Sequence, residues 1–364
     1  MGQNSGEAKT ARGSWVIMAG GTGGHIFPAL AVAKALRELG CAVSWLGSAG
    51  SMEEKIAPEN GFAIHSIHIK GVRRNGWARK LSAPFAVARA TFEAARALRR
   101  EGADGAIGFG GFVTFPGALA AKLLGKKVVC CEQNAVPGLA NRLAGRFADV
   151  RLCAYPDAWG GAEAVGNPAR AEFFELPSAQ ERFAGRSGPL RLLVVGGSQG
   201  AQRINETLPK ALSALSPERR PEVFHQCGKG KMESTEKLYA QLGVEAQCVE
   251  FVDEMAKRFA WADFAVCRGG SGTLFELAGA GLGAFVVPLP TAVDDHQTKN
   301  AASFCKAGAA RIMAQGPGDV ERWAGMIGAL DRGQCLAMAI AAKSLAKPDA
   351  AATVARRAEA LLGR

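Results

Sequence analysis

A strand-to-helix junction marked by paired glycines occurs twice in this chain, and that repetition restricts the fold more than any other feature. WVIMAGGTGGH occupies residues 15–25 and LLVVGGSQGA residues 192–201, and the pairs Gly20–Gly21 and Gly196–Gly197 stand 176 positions apart, about half of the 364 residues. A short apolar run that ends in a glycine turn and opens a helix is the first step of a nucleotide-binding α/β sheet. Two such steps half a chain apart predict two similar α/β domains. Further β-rich runs follow each: Ala42–Leu46, Ile64–Ile67, Gly105–Phe109 and Lys127–Cys131 after the first, Glu222–His225, Ala246–Phe251, Phe264–Cys267 and Ala284–Pro288 after the second. Helical segments between them imply parallel sheets of βαβ units. Prolines and glycines crowd residues 156–189, which reads as a linker. The predicted domains are 1–168 and 169–347, with a terminal helix in 348–364 packing back on the first. The helices at the glycine turns are read as Pro28–Leu39 and Leu274–Ala280.

Glycine, 46 of 364 residues, is well above the usual ~7%, so tight turns and close ligand approaches are expected. The apolar and charged fractions, 48% and 21%, exclude a disordered chain or a coiled coil. The nine cysteines include no CxxC pair, and Cys130–Cys131 sits inside an apolar run, which reads as reduced, buried thiols. No signal-peptide core and no run of spanning length is present, since Leu277–Pro290 is broken by glycines. Formal net charge is +11, which favours an anionic partner. Much of it lies between Val72 and Arg100, where eight Lys or Arg face one Glu. Leu81, Phe85, Ala88 and Phe92 recur there at helical spacing on a helix read as beginning at Pro84, with Trp77 before it and Arg79, Lys80 and Arg89 alongside. That combination suits either an anionic lipid surface or a core-facing helix with a solvated basic back. Nucleic acid, the rival polyanion, is unsupported by any recognisable motif.

Three glycine-rich loops lie at strand ends. GGTGGH at 20–25 opens a helix whose free N–H groups and dipole favour an anion. It fails the GxGxxG dinucleotide pattern, because Ile26 stands at the third glycine position, and no GxxxxGK[ST] occurs. GGSQG at 196–200 supplies Ser198, either a phosphate ligand or a helix cap. The third, Arg268–Thr273, leads into a helix with Glu276 in its first turn, where a carboxylate can accept two ribose hydroxyls or simply complement the dipole. Three anion-competent loops in two domains point to a nucleotide-linked ligand in an interdomain cleft.

GGTGGHIFPALAVA at 20–33, EQNAVPGLAN at 132–141, VGNPAR at 165–170, GGSQGA at 196–201, CRGGSGTLFELAGAG at 267–281 and DDHQTKNA at 294–301 together resemble the MurG family of bacterial N-acetylglucosaminyltransferases. The resemblance runs in order from residue 15 to about 310. Cys131 stands where many members carry histidine, and Gly269–Gly272 departs from the common form of the third loop. The resemblance implies the GT-B architecture of two Rossmann-like domains. It implies an inverting enzyme that moves N-acetylglucosamine from UDP to undecaprenyl-linked lipid I, at the cytoplasmic face of the inner membrane and peripherally attached. The first domain would then face acceptor and membrane, through Trp77, Arg79, Lys80, Leu81, Phe85, Arg89 and Phe92, and the second would hold the UDP-sugar. By the same resemblance Glu276 would hold the ribose, Ser198 the diphosphate, and Arg170 the nucleotide side. Phe251 and Val252 would border the uracil. Asn134 and Gln297 would bond sugar hydroxyls, Ser271, Gly272, Thr273, Leu274 and Phe275 would line the third loop, and Thr22, Gly23 and Gly24 would close over diphosphate and sugar.

No Asp has another Asp two positions on, so helix N-termini, Arg and hydroxyls would stabilise the leaving diphosphate, with no metal or other cofactor expected. His25, at a helix start beside a glycine loop, is the candidate general base. The same position suits a helix-capping or substrate-orienting histidine. A UDP-N-acetylglucosamine 2-epimerase would share the fold and needs no lipid-facing patch.

Overall fold

The computed structural model describes residues 12–69, 77–197 and 199–363, with the side chains of 77–82 left aside. Contacts divide the chain into two units. Unit 1 comprises residues 1–133, 137–168 and 349–364, and unit 2 residues 134–136 and 169–348.

Unit 1 is built on seven parallel strands, β1 (Ser14–Ala19), β2 (Ala42–Ser48), β3 (Ala63–Ile67), β4 (Gly105–Gly110), β5 (Lys127–Glu132), β6 (Val150–Cys153) and β7 (Glu163–Ala164), in the order β3-β2-β1-β4-β5-β6-β7. Unit 2 repeats the plan with β8 (Arg191–Val195), β9 (Glu222–Gln226), β10 (Gln247–Val249), β11 (Phe264–Cys267), β12 (Ala284–Val286) and β13 (Ala310–Ile312), ordered β10-β9-β8-β11-β12-β13. In both sheets the strand order reverses beside the first strand, between β1 and β4 and between β8 and β11. Ligands of doubly wound sheets bind at the carboxyl ends of strands at such a reversal. Both glycine-pair loops therefore sit at switch points.

Central strands such as β1 and β8 are apolar on both faces because helices cover both sides of the sheet. The sequence reading missed β6, β7 and β13. VRLC and ARI carry an arginine inside a very short run, and the two-residue β7 has no apolar pattern at all.

The terminal helix, Ala350–Ala360, presents Val354, Ala355 and Ala358 to the core formed by Ile26, Ala29, Val32 and Leu36. Arg357 pairs with Glu163 at 2.8 Å, and Cys41 Sγ donates to Glu359 at 3.1 Å. Cys130 and Cys131 are buried, and burial pushes the Cys130 thiol up to about 12, which keeps it protonated and inert.

In unit 2 Asp263 is fully buried beneath the segment leading into β8. Its carboxylate accepts from Arg186 Nη1 at 2.5 Å, Arg332 Nη2 at 3.2 Å and the Arg191 N–H at 3.0 Å. Removing one member of such a cluster leaves buried charge uncompensated. Asp263→Ala is expected to lower the free energy of unfolding by about 3–5 kcal/mol in a urea titration, whereas a loss under about 1 kcal/mol would mean that water already screens the cluster.

Candidate functional site

In unit 1 the first glycine loop leads from β1 into helix Gly23–Glu38, which begins five residues before the position read from Pro28. Proline is tolerated there as the sixth helical residue, while Thr22 in extended conformation ends the loop. His25 is thus in the first turn. Its Nδ1 lies 3.3 Å from Thr22 Oγ1, and its ring lies against Gly110, where a Cβ would stand 3.0 Å from Nε2. The turn is held from below by Glu53, fully buried, whose carboxylate accepts from the Gly21 N–H at 3.3 Å and the Ser48 N–H at 2.8 Å. The next loop closes over it. Gly111 has φ +81°, and a Cβ there would be 2.3 Å from the Gly20 carbonyl oxygen, a contact only glycine permits. Gly111→Ala is expected to displace the loop, cutting turnover at least about tenfold while destabilising by about 1–3 kcal/mol. Paired turnover and melting measurements check this, and unchanged turnover with a lowered melting point would separate the loop from activity.

Nearby in the same unit, the buried Glu132 carboxylate accepts from the Gly138 N–H at 3.0 Å and Asn141 Nδ2 at 2.8 Å, and Asn141 also donates to the Cys131 carbonyl. This fixes the EQN segment. Asn134 itself belongs to unit 2, where fully buried Asn300 binds it. Asn300 Nδ2 donates to Asn134 Oδ1 and to the Gly269 carbonyl, both at 3.1 Å, and its Oδ1 accepts from the Ala135 N–H at 2.7 Å.

The third loop of unit 2 differs from the sequence reading. Helix Ser271–Ala280 starts three residues earlier than read, so Glu276 is its sixth residue rather than part of its first turn. Gly270 in extended conformation serves as the cap, and the small residues at 271–273 continue the helix instead of forming loop. Glu276 is paired with Arg170, whose Nε donates at 2.9 Å, while Arg170 also pairs with Glu172 at 3.2 Å and stacks on Phe173. The Glu276 side chain is 19% exposed. Burial raises its carboxyl above the ordinary value, and the Arg170 guanidinium opposes the shift.

Gln297 Oε1 accepts from the Gly269 N–H at 3.2 Å and the Leu289 N–H at 2.9 Å. Phe251 is 67% exposed and Val252 half-buried, just beyond β10. Thr22 and Gly24 are exposed, Gly23 half-buried, and Ser271, Leu274 and Phe275 buried, with Gly272 and Thr273 between. Ser198 lies outside the described residues. The structure therefore gathers Arg170 with Glu276, Gln297 with Gly269, and Asn134 with Asn300. Sequence reasoning missed Glu53, Gln226 and Asn300, which serve backbone far away in the chain, and Glu132 and Asn141, which tie backbone within their own segment.

Residues 77–100 form one helix, so Pro84 lies within it and does not begin it. Phe85 and Phe92 are 80% and 63% exposed, on the side opposite buried Ala90, Ala94 and Leu98, and Arg89 pairs with Glu93 at 2.8 Å. Trp77, Arg79, Lys80 and Leu81 belong to this helix, but their side chains, like Arg73 and Arg74 altogether, lie outside the described residues. No helix among the described residues is long and apolar enough to cross a membrane.

Two sheets of one plan, each with a glycine loop at its switch point, define the twin-Rossmann fold class. The chain matches the glycosyltransferase family 28 N-terminal domain over residues 15–152 and the glycosyltransferase family 28 C-terminal domain over residues 191–354. It belongs to glycosyltransferase family 28. It is 50% identical over 348 residues to the UDP-N-acetylglucosamine--N-acetylmuramyl-(pentapeptide) pyrophosphoryl-undecaprenol N-acetylglucosamine transferase of Neisseria meningitidis serogroup C, covering 95% of this chain and 98% of that one. The transferase of the same description from Ralstonia nicotianae is 46% identical over 346 residues, covering 93% and 94%. Among solved structures, Acinetobacter baumannii MurG superposes with a TM-score of 0.86 at 41% identity, covering 96% of this chain and 99% of that one.

Proposed function

We propose that this chain transfers N-acetylglucosamine from UDP-N-acetylglucosamine to the muramyl 4-hydroxyl of undecaprenyl-pyrophosphoryl-N-acetylmuramyl-pentapeptide, the lipid I to lipid II step of peptidoglycan synthesis. The observation that carries it is that the Arg170, Glu276 and Gln297 motifs all serve the carboxyl edge of the second sheet, in a chain half-identical to that transferase along nearly its whole length. The acceptor oxygen attacks C1 from the face opposite the diphosphate. The C1–O bond to phosphate breaks, UDP leaves with the electron pair, and the hydroxyl proton passes to a base, for which His25 is the candidate. The configuration at C1 inverts.

The donor belongs on unit 2, and electrostatics supports this. A carboxylate, Glu53, underlies the Gly20–Gly21 turn, which disfavours an anion on that amide. The neutral carboxamide of Gln226 underlies Gly197. Glu276 accepts from the ribose hydroxyls with Arg170 beside it. Ser198 and the residues Ser271, Gly272 and Thr273 at the start of the helix Ser271–Ala280 hold the diphosphate, while Leu274 and Phe275 anchor that helix start from below, and Phe251 and Val252 border the uracil. Gln297, whose Oε1 is engaged by two backbone amides, has its Nε2 left to donate to the sugar. Asn134 bonds a sugar hydroxyl. UDP release from UDP-N-acetylglucosamine, measured with and without a lipid I analogue, tests the reading. Release that requires acceptor is the expected result, and interconversion of the sugar without acceptor would make the enzyme an epimerase.

The exposed Phe85 and Phe92, flanked by basic residues, support peripheral attachment to an anionic membrane. Flotation with anionic vesicles is expected to carry the wild-type protein and to lose the Phe85→Asp/Phe92→Asp variant, while neutral vesicles carry neither. Equal flotation of both proteins would remove this face from the membrane contact.

A further inference from the structure

Gln226 ends β9 only 2% exposed, and none of its side-chain hydrogen bonds serves its own sheet. Oε1 accepts from the Gly197 N–H at 2.9 Å, Nε2 donates to the Gly197 carbonyl at 2.9 Å, and Nε2 also donates to the Glu250 carbonyl at 3.0 Å. Its main-chain carbonyl accepts from the Gly196 N–H at 3.2 Å. Gly197, at φ +76°, lies in the second glycine loop, and Glu250 directly precedes Phe251 and Val252. The same two segments are tied again just beyond the strand, where the Glu250 carboxylate accepts from the Gly230 N–H at 2.6 Å and Lys231 Nζ donates to the Gln199 carbonyl at 2.7 Å. A buried amide needs its bonds satisfied, but nothing in that requirement sends them to two separate loops.

We infer that Gln226 is a positioning residue that fixes the phosphate loop 196–200 against the base-bordering segment 250–252, so that one nucleoside diphosphate can engage both. The inference rests on the donor assignment above. Uridine, which reaches the base and ribose positions but not the phosphate loop, does not depend on the bridge, whereas UDP spans it. Gln226→Glu is isosteric and keeps the acceptor for Gly197, but it loses both donations and turns negative charge toward two carbonyls. Gln226→Met keeps length without polarity.

Calorimetric titration of UDP and uridine into wild type and both variants, with steady-state kinetics and melting curves, tests it. The expected result is UDP affinity reduced at least about tenfold, uridine affinity within about twofold, donor KM raised, acceptor KM and kcat close to wild type, and a lowered melting temperature, since each variant leaves buried backbone groups without their partners. If Gln226→Met fails to fold, the isosteric Gln226→Glu carries the comparison. An unchanged ratio of UDP to uridine affinity overturns the inference while leaving the donor assignment standing. So does a loss of kcat and of uridine affinity as large as the loss of UDP affinity, which marks Gln226 as a packing residue. Wild-type protein that binds no UDP overturns the donor assignment and the inference together.

Discussion

Glu276→Ala is expected to lower kcat/KM for UDP-N-acetylglucosamine by roughly 10²–10⁴-fold, since hydrogen bonds to a charged group contribute about 1.5–3 kcal/mol each and the carboxylate can accept two from the ribose. The loss should fall mainly on donor KM, because the ribose is bound equally in ground and transition states. Glu276 also gives donor binding a pH dependence whose sign is fixed by its surroundings. Its carboxyl sits above the ordinary value through burial, with Arg170 opposing. Donor binding needs the ionised form, so affinity is full above that raised value and falls as pH drops through it. The fall therefore begins at higher pH than for an ordinary carboxylate. Arg170→Ala removes the opposing attraction and should move the fall higher still. Donor KM measured across pH for both proteins checks this, and coincident profiles would separate Glu276 from the donor.

His25→Ala carries the second large effect. General-base catalysis contributes about 10²–10⁴-fold, and the ring is held between Thr22 and Gly110, so kcat should fall by that order with donor KM little changed. The pH–rate profile decides between roles. Loss of the acidic limb in the variant marks His25 as the base, a lowered rate with an unshifted profile marks it as orienting the acceptor, and a near-normal rate removes it from the reaction.

The chemistry-bearing parts of both units were legible because glycine turns after apolar strands leave a pattern in consecutive residues. The repeat at residues 20 and 196 was enough to anticipate two parallel sheets. Boundaries were less legible. Pro28 and the glycines around Ser271 argue against helix in isolation, yet both helices begin upstream because an extended residue, Thr22 or Gly270, ends each loop and frees the next residues to turn. Least legible were Glu53, Gln226 and Asn300. Each is a single polar residue with no periodicity around it, and each serves backbone 29 to 165 positions away, a relation that exists only once the sheet has formed.

The return of residues 349–364 to unit 1 has a consequence for biosynthesis. Residues 169–348 emerge from the ribosome before the helix that supplies Val354, Ala355 and Ala358 to the first core. The second half of the molecule can therefore mature while the first still lacks one wall, and residues 349–364, made after it, act as the closing stave. A released chain ending at residue 348 would show protease sensitivity in its first unit and resistance in its second.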